Sequence, residues 1–178
     1  MFLTRKKTVK TRRDYITKLE ERIAEENEQR AFYFELINKF REEVQDPYLK
    51  GQVDSKPIEG EVNSLSDEDL LNRASVHLKE IFEGQRHIYF QISLNNHVSN
   101  SGIDSLCLLC FAVCSDALHN MPNHMLRKDM SGLRFDLIRF YEIRNLVLEY
   151  IEKHLKEHLN YSVHDDLIKK FKSSQFKA

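Results

Sequence analysis

The chain has no tryptophan and only five glycines, three prolines and three cysteines in 178 residues. Each scarcity excludes something. Strand-rich folds depend on glycine and proline at their tight turns, so an all-β architecture is excluded and long helices are favoured. The cysteine count is odd, and Cys107, Cys110 and Cys114 lie close together, so they build no disulfide framework and imply a reducing compartment. The opening residues, Met1-Phe2-Leu3-Thr4-Arg5-Lys6-Lys7, lack the apolar run of a secretory signal and the Ser-rich amphipathic continuation of an organelle-targeting peptide. No segment approaches the roughly 18 uninterrupted apolar residues of a membrane span. The expectation is a cytoplasmic protein with no membrane association.

Charge is also missing locally. The net charge is −1, but residues 1–13 carry six bases (Arg5, Lys6, Lys7, Lys10, Arg12, Arg13) and no acid, while 14–69 hold sixteen acids against seven bases. Between 87 and 126 the only formal charges are Asp104 and Asp116. Forty residues with two charges belong mostly in a core or an interface. The basic segment suits contact with phosphates or an acidic partner, although it has no aromatic residues interleaved for stacking on bases.

Apolar periodicity supplies the elements. Ile16, Leu19 and Ile23 fall at a/d-like spacing and Tyr33, Ile37, Phe40 and Val44 resume it, with Glu26, Asn27 and Arg30 in the gap, which predicts a helix over roughly residues 11–45. Asp46-Pro47 is expected to end it, and the Gly- and Pro-containing stretch 47–65 reads as a linker loop. Ser66-Asp67-Glu68-Asp69 is a helix start, since Ser66 can cap free amides and the acids complement the dipole. The row Leu71, Ala74, Leu78, Ile81, Gln85, Ile88, Ile92 predicts a helix to about residue 95, with a strand over 87–95 as the competing reading. A third helix, roughly 103–120, is apolar nearly all round and should be central, with Pro122 as its stop. A fourth runs over roughly 131–159, and a short piece near 163–171 follows. The fold class is all-α: a bundle of about four main helices with a long N-terminal helix. Its organisation is a basic flexible arm (1–13), a long amphipathic helix (14–46), a linker (47–65), a helical body (66–172) and a tail (173–178).

Four patterns raise chemistry. On a helix, Cys107, Cys110 and Cys114 share one face, the placement of buried small hydrophobes, and zinc would require a fourth ligand for which His119 is the near candidate. His154-Leu155-Lys156-Glu157-His158 resembles the H-x-x-E-H motif of inverted zinc peptidases, which implies His154 and His158 as ligands and Glu157 as base. No Glu follows position 157 to complete that set. Asp116-Ala117-Leu118-His119-Asn120-Met121 resembles the last metal-binding segment of HD-type phosphohydrolases. Such enzymes place a His-Asp pair upstream, whereas His164-Asp165 lies downstream here. Arg144-Asn145 resembles the start of the R-x4-6-H motif of all-α HEPN-type ribonucleases, but Glu149, Tyr150 and Ile151 occupy the positions of the histidine, leaving no general base.

Each catalytic pattern thus lacks a named residue, and the chain reads as a non-enzyme without cofactor or metal. Asp116 and His119 become polar groups on an apolar helix, expected to form a buried network with Arg139 and Arg144. The function that fits is a non-catalytic protein-interaction role, as an adaptor, an inhibitor or immunity-type protein, a regulator or an assembly subunit, with another protein or a second copy as partner. Its expected contacts are Ile16, Leu19, Ile23, Phe32 and Phe34 on the first helix, together with Asn96, Asn120, Asn123 and His124. The alternatives are a nucleic-acid-associated regulator using the basic arm and a metal-dependent hydrolase.

Overall fold

The computed structural model describes the backbone of residues 2–94 and 101–158, and the side chains of 14–86, 102–103 and 105–158. Its elements are α1 (Phe2–Phe40), a π-helical turn (Arg41–Gln45), α2 (Asp46–Lys50), α3 (Lys56–Ser64), α4 (Asp67–Leu94), α5 (Ser101–Ala117), α6 (Met121–Arg127), α7 (Met130–Tyr150) and a second π-helical turn (Ile151–Leu155). The fold is all-α, with no strand among the described residues. Residues 87–94 therefore continue α4. The final piece near 163–171 and the polar turn at 95–100 lie outside the described residues.

Two compact units divide the chain, residues 1–38 and 39–178. The first is one continuous helix, and the basic segment that was expected as a flexible arm belongs to it. In the second, α5 packs on α4 and α7, and α3 and α6 pack on α7. The core they enclose includes Phe40, Val44, Leu70, Ala74, Ile81, Cys107, Cys110, Phe111, Cys114, Leu137, Phe140, Tyr141, Val147 and Tyr150. Phe40 and Tyr150 meet edge to face with ring centroids 5.2 Å apart.

Pro47 does not end the first helical run. A proline ring collides with the carbonyl four residues back and cannot donate a backbone bond. The preceding turn widens instead: the Asp46 amide donates to the Arg41 carbonyl five residues earlier, and Pro47 enters at the start of α2. The run stops at Gly51, whose φ of 61° closes a left-handed cap.

The stretch expected as a linker over 47–65 is mostly helical, because it has its own apolar anchors. Tyr48 and Val62 are buried. Arg134 on α7 donates to the carbonyls of Val62 at 2.7 Å and Leu65 at 2.9 Å and meets Asp67 Oδ1 at 3.1 Å, so one guanidinium ties the end of α3 to the start of α4. Ser66 opens α4 reciprocally, accepting from the Asp69 amide at 3.1 Å while donating to its carboxylate at 2.6 Å.

Helix α5 is less enclosed than an all-round apolar helix should be. Ile103, Leu106, Cys107, Cys110, Phe111, Cys114, Ala117 and Leu118 are buried, but Leu109 and Ala112 are exposed. By length and composition alone the stretch Ser105–Arg127 is apolar enough to cross a membrane. Pro122, expected as a stop, instead sits in the first turn of the separate short helix α6.

Candidate interaction surface and polar clusters

On α1, Tyr15, Ile16, Leu19, Ile23, Phe34 and Ile37 are all exposed, with Ile23 at 58% and Phe34 at 66%. Leu36 is buried, and Phe32, named with this surface, is half-buried with its ring 5.7 Å from that of Tyr33. Ile16, Leu19, Ile23, Phe34 and Ile37 recur at three- and four-residue steps around a middle occupied by Glu26 and Arg30, so they share one face of the helix. The side chains of Arg5, Lys6, Lys7, Lys10, Arg12 and Arg13 lie outside the described residues, as does Asn96.

Asn120 and Asn123 are exposed around the start of α6, but His124 is half-buried and held by two carboxylates. Its Nδ1 is 2.8 Å from Asp129 Oδ2, and its Nε2 is 3.5 Å from Asp136 Oδ2. Asp129 caps α7 by accepting from the Gly132 amide at 3.0 Å. Gly132 has no side chain because the His124 ring and the Asp129 carboxylate occupy the space a Cβ would need. That Gly132 amide bond lowers the Asp129 carboxyl below its ordinary range despite slight desolvation, with His124 helping. Burial raises the Asp136 carboxyl. His124 is a clasp between α6 and α7 rather than a free contact residue.

The network expected of Asp116, His119, Arg139 and Arg144 does not form. Asp116 and His119 are exposed at the end of α5, linked by a backbone bond of 3.1 Å. Both side chains lie on the solvent side of this end of α5, while Cys114, Ala117 and Leu118 take the buried side, so the two polar residues need no internal partners. Arg139 lies 4.7 Å over the Tyr48 ring and 3.8 Å from Glu142. Arg144 is buried, but among different residues.

Its surroundings form the polar cluster that sequence reasoning missed. The Arg144 guanidinium stacks 4.5 Å over the Tyr141 ring, and the Tyr141 hydroxyl is 2.8 Å from His77 Nε2. His77 Nδ1 points toward Glu80 at 3.7 Å, and Arg73 meets Glu61 at 3.7 Å. Burial lowers the His77 imidazole and the Arg144 guanidinium from their ordinary ranges, and raises the Tyr141 phenol to about 12. The hydrogen bond between His77 Nε2 and the Tyr141 hydroxyl ties α4 to α7. Both groups are closed off from solvent, His77 at 3% and Tyr141 at 1% exposure. A signal was present: Leu70, Ala74, His77, Ile81 and Gly84 form one buried row, so His77 stands in an apolar stripe one step from the row chosen by sequence.

The remaining patterns are placed as follows. The three cysteines are buried on one face, and burial raises the Cys110 and Cys114 thiols, so both hold their protons. His154 Nε2 is 3.0 Å from both Glu43 oxygens, and Lys153 Nζ is 3.0 Å from the nearer one. Desolvation raises Glu43, but the bonds from His154 and Lys153 outweigh it and the carboxyl falls below its usual range. His158 is exposed. After Arg144, Glu149 is exposed while Tyr150 and Ile151 are core residues. Among the described residues no group of three or more His, Cys, Asp and Glu side chains is arranged to hold a metal ion.

Among known proteins, no family model, no curated protein and no solved structure matches the chain.

Proposed function

We propose that this protein works by binding another protein chain through the exposed face of α1, as a non-catalytic interaction module. The observation that carries this reading is the line of Ile16, Leu19, Ile23, Phe34 and Ile37 left exposed on one helix face. Single exposed apolar residues are ordinary on any surface, and Leu49, Val76, Phe82, Leu109, Leu126 and Phe135 are such cases in the second unit. A row of five at helical spacing differs in kind, because a partner helix can cover all of them at once. The mechanism is helix-on-helix docking, driven by apolar burial and oriented by the charges within the row.

The test uses the tagged full chain and its Ile16→Glu/Ile23→Glu variant. Both positions are exposed, so at a concentration where the chains are unassociated circular dichroism and thermal midpoint should match wild type, while association with any protein, itself included, falls. Equal association by the two proteins would refute the reading.

A further inference from the structure

We infer that the occupant of this face is the same face of a second copy of the chain, lying antiparallel, with Glu26 of each copy against Arg30 of the other. The inference rests on the docking role proposed above and adds the identity, direction and register of the partner.

The order of residues along the face is the ground for it. Positions 16, 19, 23, 26, 30, 34 and 37 follow one another at steps of three and four, and all are exposed. Read from either end the row is apolar, then charged, then apolar, with an acid and a base one turn apart in the middle. Any helix covering the apolar flanks also covers Glu26 and Arg30 and removes their water, so those two charges choose among partners.

Three arrangements can be compared. An apolar helix offers neither charge a partner of its own and leaves them only each other, one turn apart along α1, which is a costly outcome once water is removed. A parallel copy stacks Glu26 on Glu26 and Arg30 on Arg30, two like-charge layers in the centre of the seam. An antiparallel copy, related by a two-fold axis at residue 28, sets each Glu26 against Arg30 of the other chain. The same register brings Leu19 to Ile37 and Ile23 beside Phe34. One rotation thus pairs the charges and four of the five apolar residues, as an isologous two-fold contact requires, with Ile16 falling opposite position 40, where Phe40 is buried.

The experiment measures the molar mass of the full chain by light scattering across a concentration series. Wild type should be a dimer whose dissociation constant rises about tenfold or more in Glu26→Arg and in Arg30→Glu, each of which creates two repulsive layers. Between copies, the double variant Glu26→Arg/Arg30→Glu restores opposite charges only in the antiparallel register, and should return to within about threefold of wild type. A parallel seam predicts no rescue. Oxidative cross-linking gives a second readout: Leu19→Cys together with Ile37→Cys should yield linked dimers, and Leu19→Cys alone should not. A monomer at every concentration, a dimer indifferent to the charge reversals, a double variant without rescue, or linkage by Leu19→Cys alone overturns the inference. A monomeric wild type that still loses another partner in Ile16→Glu/Ile23→Glu would sink self-pairing and leave the docking role standing.

Discussion

Ile23 on α1 and Ile143 on α7 are the same side chain on the same kind of element, yet one is 58% exposed and the other fully buried. The contrast extends to the regions around them. Between residues 14 and 38 only Leu36 is buried, whereas the second unit buries Phe40, Val44, Phe111, Phe140 and Tyr150 with three cysteine thiols among them. Helical periodicity is present in both. Periodicity marks a face, and only the packing of other elements decides whether the face is closed.

The contrast can be broken or sharpened by substitution. The largest effect is expected from Phe40→Ala, which removes a buried ring packed on Tyr150 and should cost about 3–5 kcal/mol of stability by denaturant unfolding. Next comes Gly132→Ala: the added methyl meets the His124 ring and the Asp129 carboxylate, so the α6–α7 clasp must open, at about 1–3 kcal/mol, despite alanine's better helix propensity. An unfolding midpoint equal to wild type would show that the clasp yields freely.

His77 gives a smaller, pH-dependent effect in the same unit. In the unfolded chain an imidazole gains its proton near pH 6.5, while burial holds His77 neutral to lower pH in the fold. Its contribution is therefore complete above about pH 6.5 and is lost as pH falls from there toward the lowered folded value, at no more than about 1.4 kcal/mol per pH unit. Urea unfolding on either side of that value should show the slope in wild type and lose this share of it in His77→Gln. The smallest effect belongs to the first unit: Ile23→Ala should change stability by less than about 0.5 kcal/mol while weakening association. A loss as large as that of Phe40→Ala would mean the face is closed within a single chain and would erase the contrast.

Much of this was legible in the residues. The helical class followed from scarce glycine and proline, and the start of α4 from Ser66 and its acids, because caps and composition act locally. Ile16, Leu19 and Ile23 on α1 were visible as spacing, but of the residues read as resuming it Ile37 is exposed while Phe40 and Val44 are buried; the cysteine face on α5 was visible as a one-sided cluster. Less legible was the stretch 47–65, where Gly51, Pro57 and Gly60 suggested a loop. Tyr48 and Val62 are too few to show a period, and their burial depends on α7, far along the chain. The polar residues were least legible of all. His124 looked free and is clasped by Asp129, while Asp116 and His119 looked buried and are exposed.

By itself, then, the sequence determined the helical class, the rough extent of the long helices and which of their faces are apolar, since backbone propensity and side-chain spacing are properties of neighbours in the chain. Only the tertiary structure decided which apolar face stays open and which charges find partners. It selected His77, Tyr141 and Arg144 as a buried cluster and left Glu26 and Arg30 in solvent, because desolvation and ion pairing depend on residues brought together from distant segments.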